Sequence, residues 1–112
     1  MKARRDVGQR PPRARAGVLV LKRAARACEF ALARTGVRAL VIGSVAYGGV
    51  RAASDLDLLV VSYRGKKWSE VSAIAADAAR PYGVPVDIIF ADTLPPAIRR
   101  AMLKDARRAD DL

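Results

Sequence analysis

Histidine is absent from these 112 residues. That removes Ser-His-Asp and Cys-His catalysis, and with them His-based zinc sites. Cysteine occurs once, as Cys28, so no internal disulfide can form. In the helix expected around it, a single thiol behaves as a small buried hydrophobe. Long apolar runs are missing as well. No stretch approaches the roughly 20 residues of a membrane span. Gly17–Leu21 is too short for a signal-peptide core and runs straight into Lys22 and Arg23. A cytoplasmic protein with no membrane contact is the expectation. Ionisable chemistry is left to carboxylates, Lys, Tyr and bound metal, and carboxylates favour hard cations such as Mg²⁺ or Mn²⁺.

What is present is an excess of positive charge. Twenty-one Lys and Arg stand against eleven Asp and Glu, a formal net charge of +10. The excess is uneven. Residues 1–15 hold six cations against Asp6, and 99–108 hold five against Asp105. Two basic ends of this kind can contact RNA, DNA or an acidic protein; the plainer reading is a solvated tail and a solvated helix face.

The chain length fits one domain. Residues 1–16 contain Gly8, Pro11 and Pro12 among arginines, with no apolar period, and read as a disordered basic arm. Residues 17–112 read as the folded domain. Leu21, Ala25, Cys28 and Leu32 make a helical stripe across Gly17–Arg34, with Gly36 as its stop. Val37–Ile42 is a short β-branched run, a central strand. Leu56–Tyr63 is a second strand. Trp68–Tyr82 is a helix with Trp68 as a partly buried anchor. Val84–Phe90 is a third strand, with Pro85 marking an edge or a strand end. Pro96–Arg108 is a final helix with Ile98, Met102 and Ala106 facing inward. The order helix, strand, strand, helix, strand, helix predicts an α/β (α+β) fold, a small mixed sheet packed with helices.

The chemistry concentrates between Gly43 and Asp57. Asp55 and Asp57 sit at i and i+2, which on a strand puts both on one face. Asp87 is the one acid in the third strand. If the third strand lies beside the second, the three carboxylates form a cluster. Close carboxylates repel one another, and a divalent cation resolves the conflict. Two such ions about 3.5–4 Å apart can clamp a triphosphate and an attacking hydroxyl for in-line displacement. Gly43 permits a tight turn and close phosphate approach, and Ser44 offers a hydroxyl and an N–H at what could be a helix N-terminus. Gly48 and Gly49 keep the loop clear of side chains. Ser54 on its own reads as a turn or cap residue. Trp68, close to Lys66 and Lys67, could stack on a base.

Gly43-Ser44, ten residues, then Ser54-Asp55-Leu56-Asp57, with Gly48 four residues after Ser44, resembles the signature of the DNA polymerase β-type nucleotidyltransferase superfamily. Length and layout resemble its smallest branch, the minimal nucleotidyltransferases, over about residues 18–108. The resemblance implies a palm-like core. It implies that Asp55 and Asp57 ligate two Mg²⁺ ions, and that Asp87 ligates the catalytic metal and helps activate the acceptor hydroxyl. Gly43, Ser44, Gly48 and Ser54 would form the nucleotide-binding set. Tyr47 departs from the pattern, because many members of the branch carry a basic residue there; Arg51 or Lys66 could substitute. The implied reaction moves a nucleoside monophosphate, AMP from ATP or that of another NTP, to a hydroxyl and releases pyrophosphate. Minimal nucleotidyltransferases often pair with a HEPN-domain ribonuclease toxin, acting as antitoxin by adding AMP to a toxin tyrosine. That implies a hetero-oligomer, with a homo-oligomer as the alternative. Two other classes compete with this reading. One is a catalytically silent module that neutralises a toxin by occlusion, and the other is a basic nucleic-acid-binding protein.

Overall fold

The computed structural model describes residues 17–43 and 56–112. The expected basic arm, and Ser44, Tyr47, Gly48, Gly49, Arg51, Ser54 and Asp55 of the expected site, lie outside the described residues. Helix α1 spans Gly17–Ala33, strand β1 Arg38–Ile42, strand β2 Leu56–Ser62, helix α2 Trp68–Ala79, strand β3 Val86–Phe90 and helix α3 Pro96–Asp105. Short 3₁₀ turns follow α2, β3 and α3.

The sheet is mixed, in the order β1-β2-β3. β1 pairs antiparallel with β2, and β2 pairs parallel with β3. A parallel neighbour needs a crossover, and α2 supplies it. Arg38 stands opposite Ser62 and Ala39 opposite Val60, so β2 carries a bulge at Val61.

Alternation along the strands sorts the side chains onto two faces. Leu56, Leu58 and Val60 of β2 join Ala39 and Val41 in the main core, under α1 and α2. α1 brings Leu21, Ala24, Ala25, Cys28 and Leu32 to that core, and α2 brings Val71, Ala75 and Ala79. The small residues on both helices allow close approach. The Cys28 thiol donates a hydrogen bond to the Ala75 carbonyl at 3.3 Å. Leu59 and Ile42 face the other way, where Ala91, Ile89, Leu94, Met102 and Ala106 form a smaller core beneath α3.

The ends of the elements follow from their residues. Gly36 (φ +84°) ends α1 in a left-handed turn, with Val37 N–H donating to Leu32 C=O and Gly36 N–H to Ala33 C=O. The Glu70 carboxylate accepts the Lys67 N–H at the start of α2. Three boundaries differ from the sequence reading by more than one residue. The α-helix of α2 ends at Ala79, because Pro81 has no N–H to continue it, and Arg80–Tyr82 tightens to 3₁₀. β3 begins at Val86, after Pro85, and occupies the edge that Pro85 suggested. α3 stops at Asp105, because Arg107 turns extended and pairs with the edge of β1. Val41 N–H donates to Arg107 C=O at 2.7 Å, and Arg107 N–H returns to Val41 C=O at 2.9 Å. Glu29 of α1 then accepts the Ala109 N–H at 2.9 Å, which ties the C-terminal segment to the first helix.

Candidate active site

Asp57 and Asp87 are register partners across the parallel β2–β3 pair. Adjacent strands lie about 4.8 Å apart, so directly opposed side chains meet on one face. Parity decides which face. Asp57 alternates with the core residues Leu56 and Leu58, and Asp87 alternates with Val86 and Ile88, which pack against the main core. Both carboxylates are therefore on the α3 side, near the N-terminal ends of their strands. Ile42 of β1 stands opposite Asp57 and completes the row.

Gly43 follows directly. Its φ is +81°, which an L side chain rarely adopts. A Cβ added there would lie 2.8 Å from Asp57 Oδ2. Glycine at this position thus serves both the turn out of β1 and the room taken by the carboxylate.

Among the described residues, an open pocket of about 690 Å³ is lined by Ile42, Gly43, Asp57 and Asp87, and on the α3 side by Ala101, Met102 and Asp105. Asp57 is half-buried and Asp87 exposed, so a polar ligand can reach both. The donors are all oxygen and come from two neighbouring strands, which suits a hard divalent cation and not a soft one. No group of three or more His, Cys, Asp or Glu that could hold a metal occurs among the described residues; the expected third carboxylate, Asp55, lies outside them.

The structure thus brings together Gly43, Asp57 and Asp87 from the expected set. Asp105 is the pocket residue that the sequence reading counted only as a charge. Its spacing held the signal, since Ala101, Met102 and Asp105 fall at i, i+1 and i+4, on one helical face. Ile98 is 47% exposed and does not face inward as expected, and Trp68, expected as a partly buried anchor, is 53% exposed. Arg99 is not part of a free basic face. Its guanidinium donates to the Ala91 carbonyl at 3.0 Å and the Leu94 carbonyl at 2.9 Å, and so fastens the β3–α3 connection.

Comparison with known proteins agrees with this fold. The family model described as "Nucleotidyltransferase domain" matches residues 21–109. A solved structure described as "Structure of putative minimal nucleotidyltransferase" superposes with a TM-score of 0.65 at 32% sequence identity, covering 80% of this chain and 92% of that one. No curated protein matches the sequence. No helix among the described residues is long and apolar enough to cross a membrane.

Proposed function

We propose, because this chain belongs to the nucleotidyltransferase domain family, that it transfers a nucleoside monophosphate from an NTP, with ATP the first choice, to a hydroxyl on a partner protein. The observation that carries the reading is the register pairing of Asp57 with Asp87 beside Gly43, at the mouth of a pocket. The acceptor oxygen forms a bond to the α-phosphorus, the bond from that phosphorus to the bridging oxygen breaks, and pyrophosphate leaves. The hydroxyl proton passes to a carboxylate, and of Asp57 and Asp87 the more accessible is Asp87, exposed on the edge strand.

Asp57 and Asp87, with Asp55 before them, are the residues that would hold Mg²⁺. Bound there, the cation would offset the charge of the triphosphate and polarise the α-phosphate. Gly43 and Ser44 would receive the β- and γ-phosphates, and glycine at 43 puts no side chain against the Asp57 carboxylate. Met102 and Ala101 would close the apolar side of the pocket.

A protein acceptor is favoured by the open α3 side. α3 has no fully buried residue, and Ile98 and Leu103 remain exposed on it. The acceptor wall can therefore come from another chain. A HEPN-type toxin, with this protein as its antitoxin, is the partner that the family resemblance suggests. Incubating the protein with Mg²⁺, α-labelled ATP and its copurifying partner should label the partner, and Asp57→Ala should abolish the label. Label transfer that survives Asp57→Ala would remove the site assignment. Toxin neutralisation that survives it without label would assign the protein to binding alone.

A further inference from the structure

A second surface lies at the opposite end of the parallel strands, beyond the C-termini of β2 and β3. Tyr63 follows β2, and Phe90 closes β3. Trp68 stacks on Phe90, with ring centroids 5.2 Å apart and planes 24° from parallel. Tyr63 meets the same Phe90 edge-on at 5.2 Å. The Trp68 indole N–H donates to the Tyr63 hydroxyl at 3.0 Å, and that hydroxyl donates to Asp92 Oδ2 at 2.5 Å. The indole is held from its face and its edge, yet 53% of Trp68 stays in solvent. A ring fixed this way loses little further freedom when a second flat ring covers it.

The approach to Trp68 is basic and stiff. Lys66 N–H donates to the Tyr63 carbonyl at 2.8 Å, and both central residues of that turn have positive φ, Arg64 at 44° and Gly65 at 80°. That is a type I′ turn. It sets Lys66 and Lys67 immediately before the indole, while Arg64 turns toward β1, its Cδ 3.9 Å from where a Cβ on Gly36 would lie. None of the three takes part in an ion pair among the described residues. Two carboxylates stand nearby and keep their charge, Glu70 accepting the Lys67 N–H and Asp92 the Tyr63 hydroxyl.

We infer that this corner binds single-stranded nucleic acid, with a base stacked on Trp68 and the adjoining phosphates on Lys66 and Lys67. A fixed exposed aromatic beside unpaired cations matches the two parts of an unstacked nucleotide, its π-face and its phosphate. A duplex hides its bases in the stack and leaves only the phosphate contacts. The surface is separate from the carboxylate pocket. Phe90 lies three residues, roughly 10 Å, beyond Asp87 and on the opposite face of β3, where it joins the main core.

Trp68 is the only tryptophan in the chain, so its fluorescence reports on the contact directly. The test titrates the full-length protein with a 12-nucleotide oligo(dT) or oligo(rU) in EDTA, so that the carboxylate pocket carries no metal. We expect saturable quenching. The affinity should fall with salt at a log–log slope of about −1.4, two phosphates on a single strand. By anisotropy of a labelled oligonucleotide, Trp68→Leu should weaken binding about 5- to 100-fold. Lys66→Gln with Lys67→Gln, two surface changes that leave the aromatic cluster intact, should flatten the salt slope. A duplex of equal length should bind more weakly and quench little. The inference is overturned if no quenching occurs. It is also overturned if binding is unchanged by both sets of substitutions and lost only on deleting residues 1–15, which would assign nucleic-acid contact to the arm. Quenching by an acidic peptide equal to that by the oligonucleotide would likewise overturn it, in favour of a protein partner.

Discussion

Asp57 Oδ2 occupies the space where a side chain on Gly43 would begin. A Cβ there would be 2.8 Å away, and the glycine's φ of +81° disfavours any L residue besides. The turn out of β1 and the position of the central carboxylate are therefore one structural feature. Gly43→Ala should cost about 1–2 kcal/mol in the left-handed conformation alone. It should also push the carboxylate away from its place opposite Asp87. We expect nucleotidyl transfer to fall at least about tenfold, while urea denaturation still shows a cooperative fold. Wild-type activity in Gly43→Ala would mean that the Asp57 position observed is not the working one.

Asp87 is exposed on an edge strand and directly opposed to Asp57. Like charges in register are destabilising by about 0.2–1 kcal/mol. Without divalent cation, Asp87→Asn should therefore raise stability by that amount. Mg²⁺ should raise the melting temperature of the wild type, since a ligand of the native state adds RT ln(1 + [L]/Kd). The same Mg²⁺ should do little for Asp87→Asn. Thermal melts of both proteins with and without Mg²⁺ check this. An equal Mg²⁺ shift in the two would exclude Asp87 as a ligand.

The facing of these two acids was legible in the sequence because each interrupts an apolar strand, and strand parity then aligns them. The order of the elements was legible for the same reason, since periods of 2 and 3.6 separate cleanly in this chain. The contribution of α3 was not. Asp105 enters the pocket because α3 crosses the open face of the sheet, and no local pattern encodes that crossing. Nor did periodicity show that α3 would stop early. Arg107 leaves the helix because β1 offers it a free edge, a non-local gain that helix propensity does not register. Trp68 was legible as a partly buried anchor but its partners were not, since Tyr63 and Phe90 reach its ring from the rim of the sheet, outside the pattern of its own helix.

Arg99 and Arg100 are neighbours with opposite expected behaviour. Arg99 gives two charge-assisted hydrogen bonds to backbone carbonyls of the segment between β3 and α3. Removing them leaves part-buried acceptors without a partner, and Arg99→Ala should cost roughly 1.5–3 kcal/mol. Arg100 is an exposed helical residue, and Arg100→Ala should stay within about 0.5 kcal/mol of wild type. Urea titrations of the two variants measure the difference. Equal effects would mean that the basic helix acts only through its charge.

Burial pushes the Cys28 thiol up from 9.0 to about 11. The thiol is an acid with a folded pKa above its unfolded one, so the folded state holds the proton more tightly. The associated stability is fully present below pH 9 and is lost as pH rises through 9 towards 11, in total roughly 2–3 kcal/mol. Lysines and tyrosines titrate in the same window, so the comparison must be with Cys28→Ala. The wild type should lose stability more steeply than Cys28→Ala between pH 9 and 11, and the two slopes should be parallel below pH 8. At pH 8 a thiol reagent such as Ellman's should react with native Cys28 slowly and with the urea-unfolded chain within minutes. Rapid reaction of the native protein, or equal pH slopes in the two proteins, would show that α1 and α2 do not enclose the sulfur as the Cys28–Ala75 contact requires.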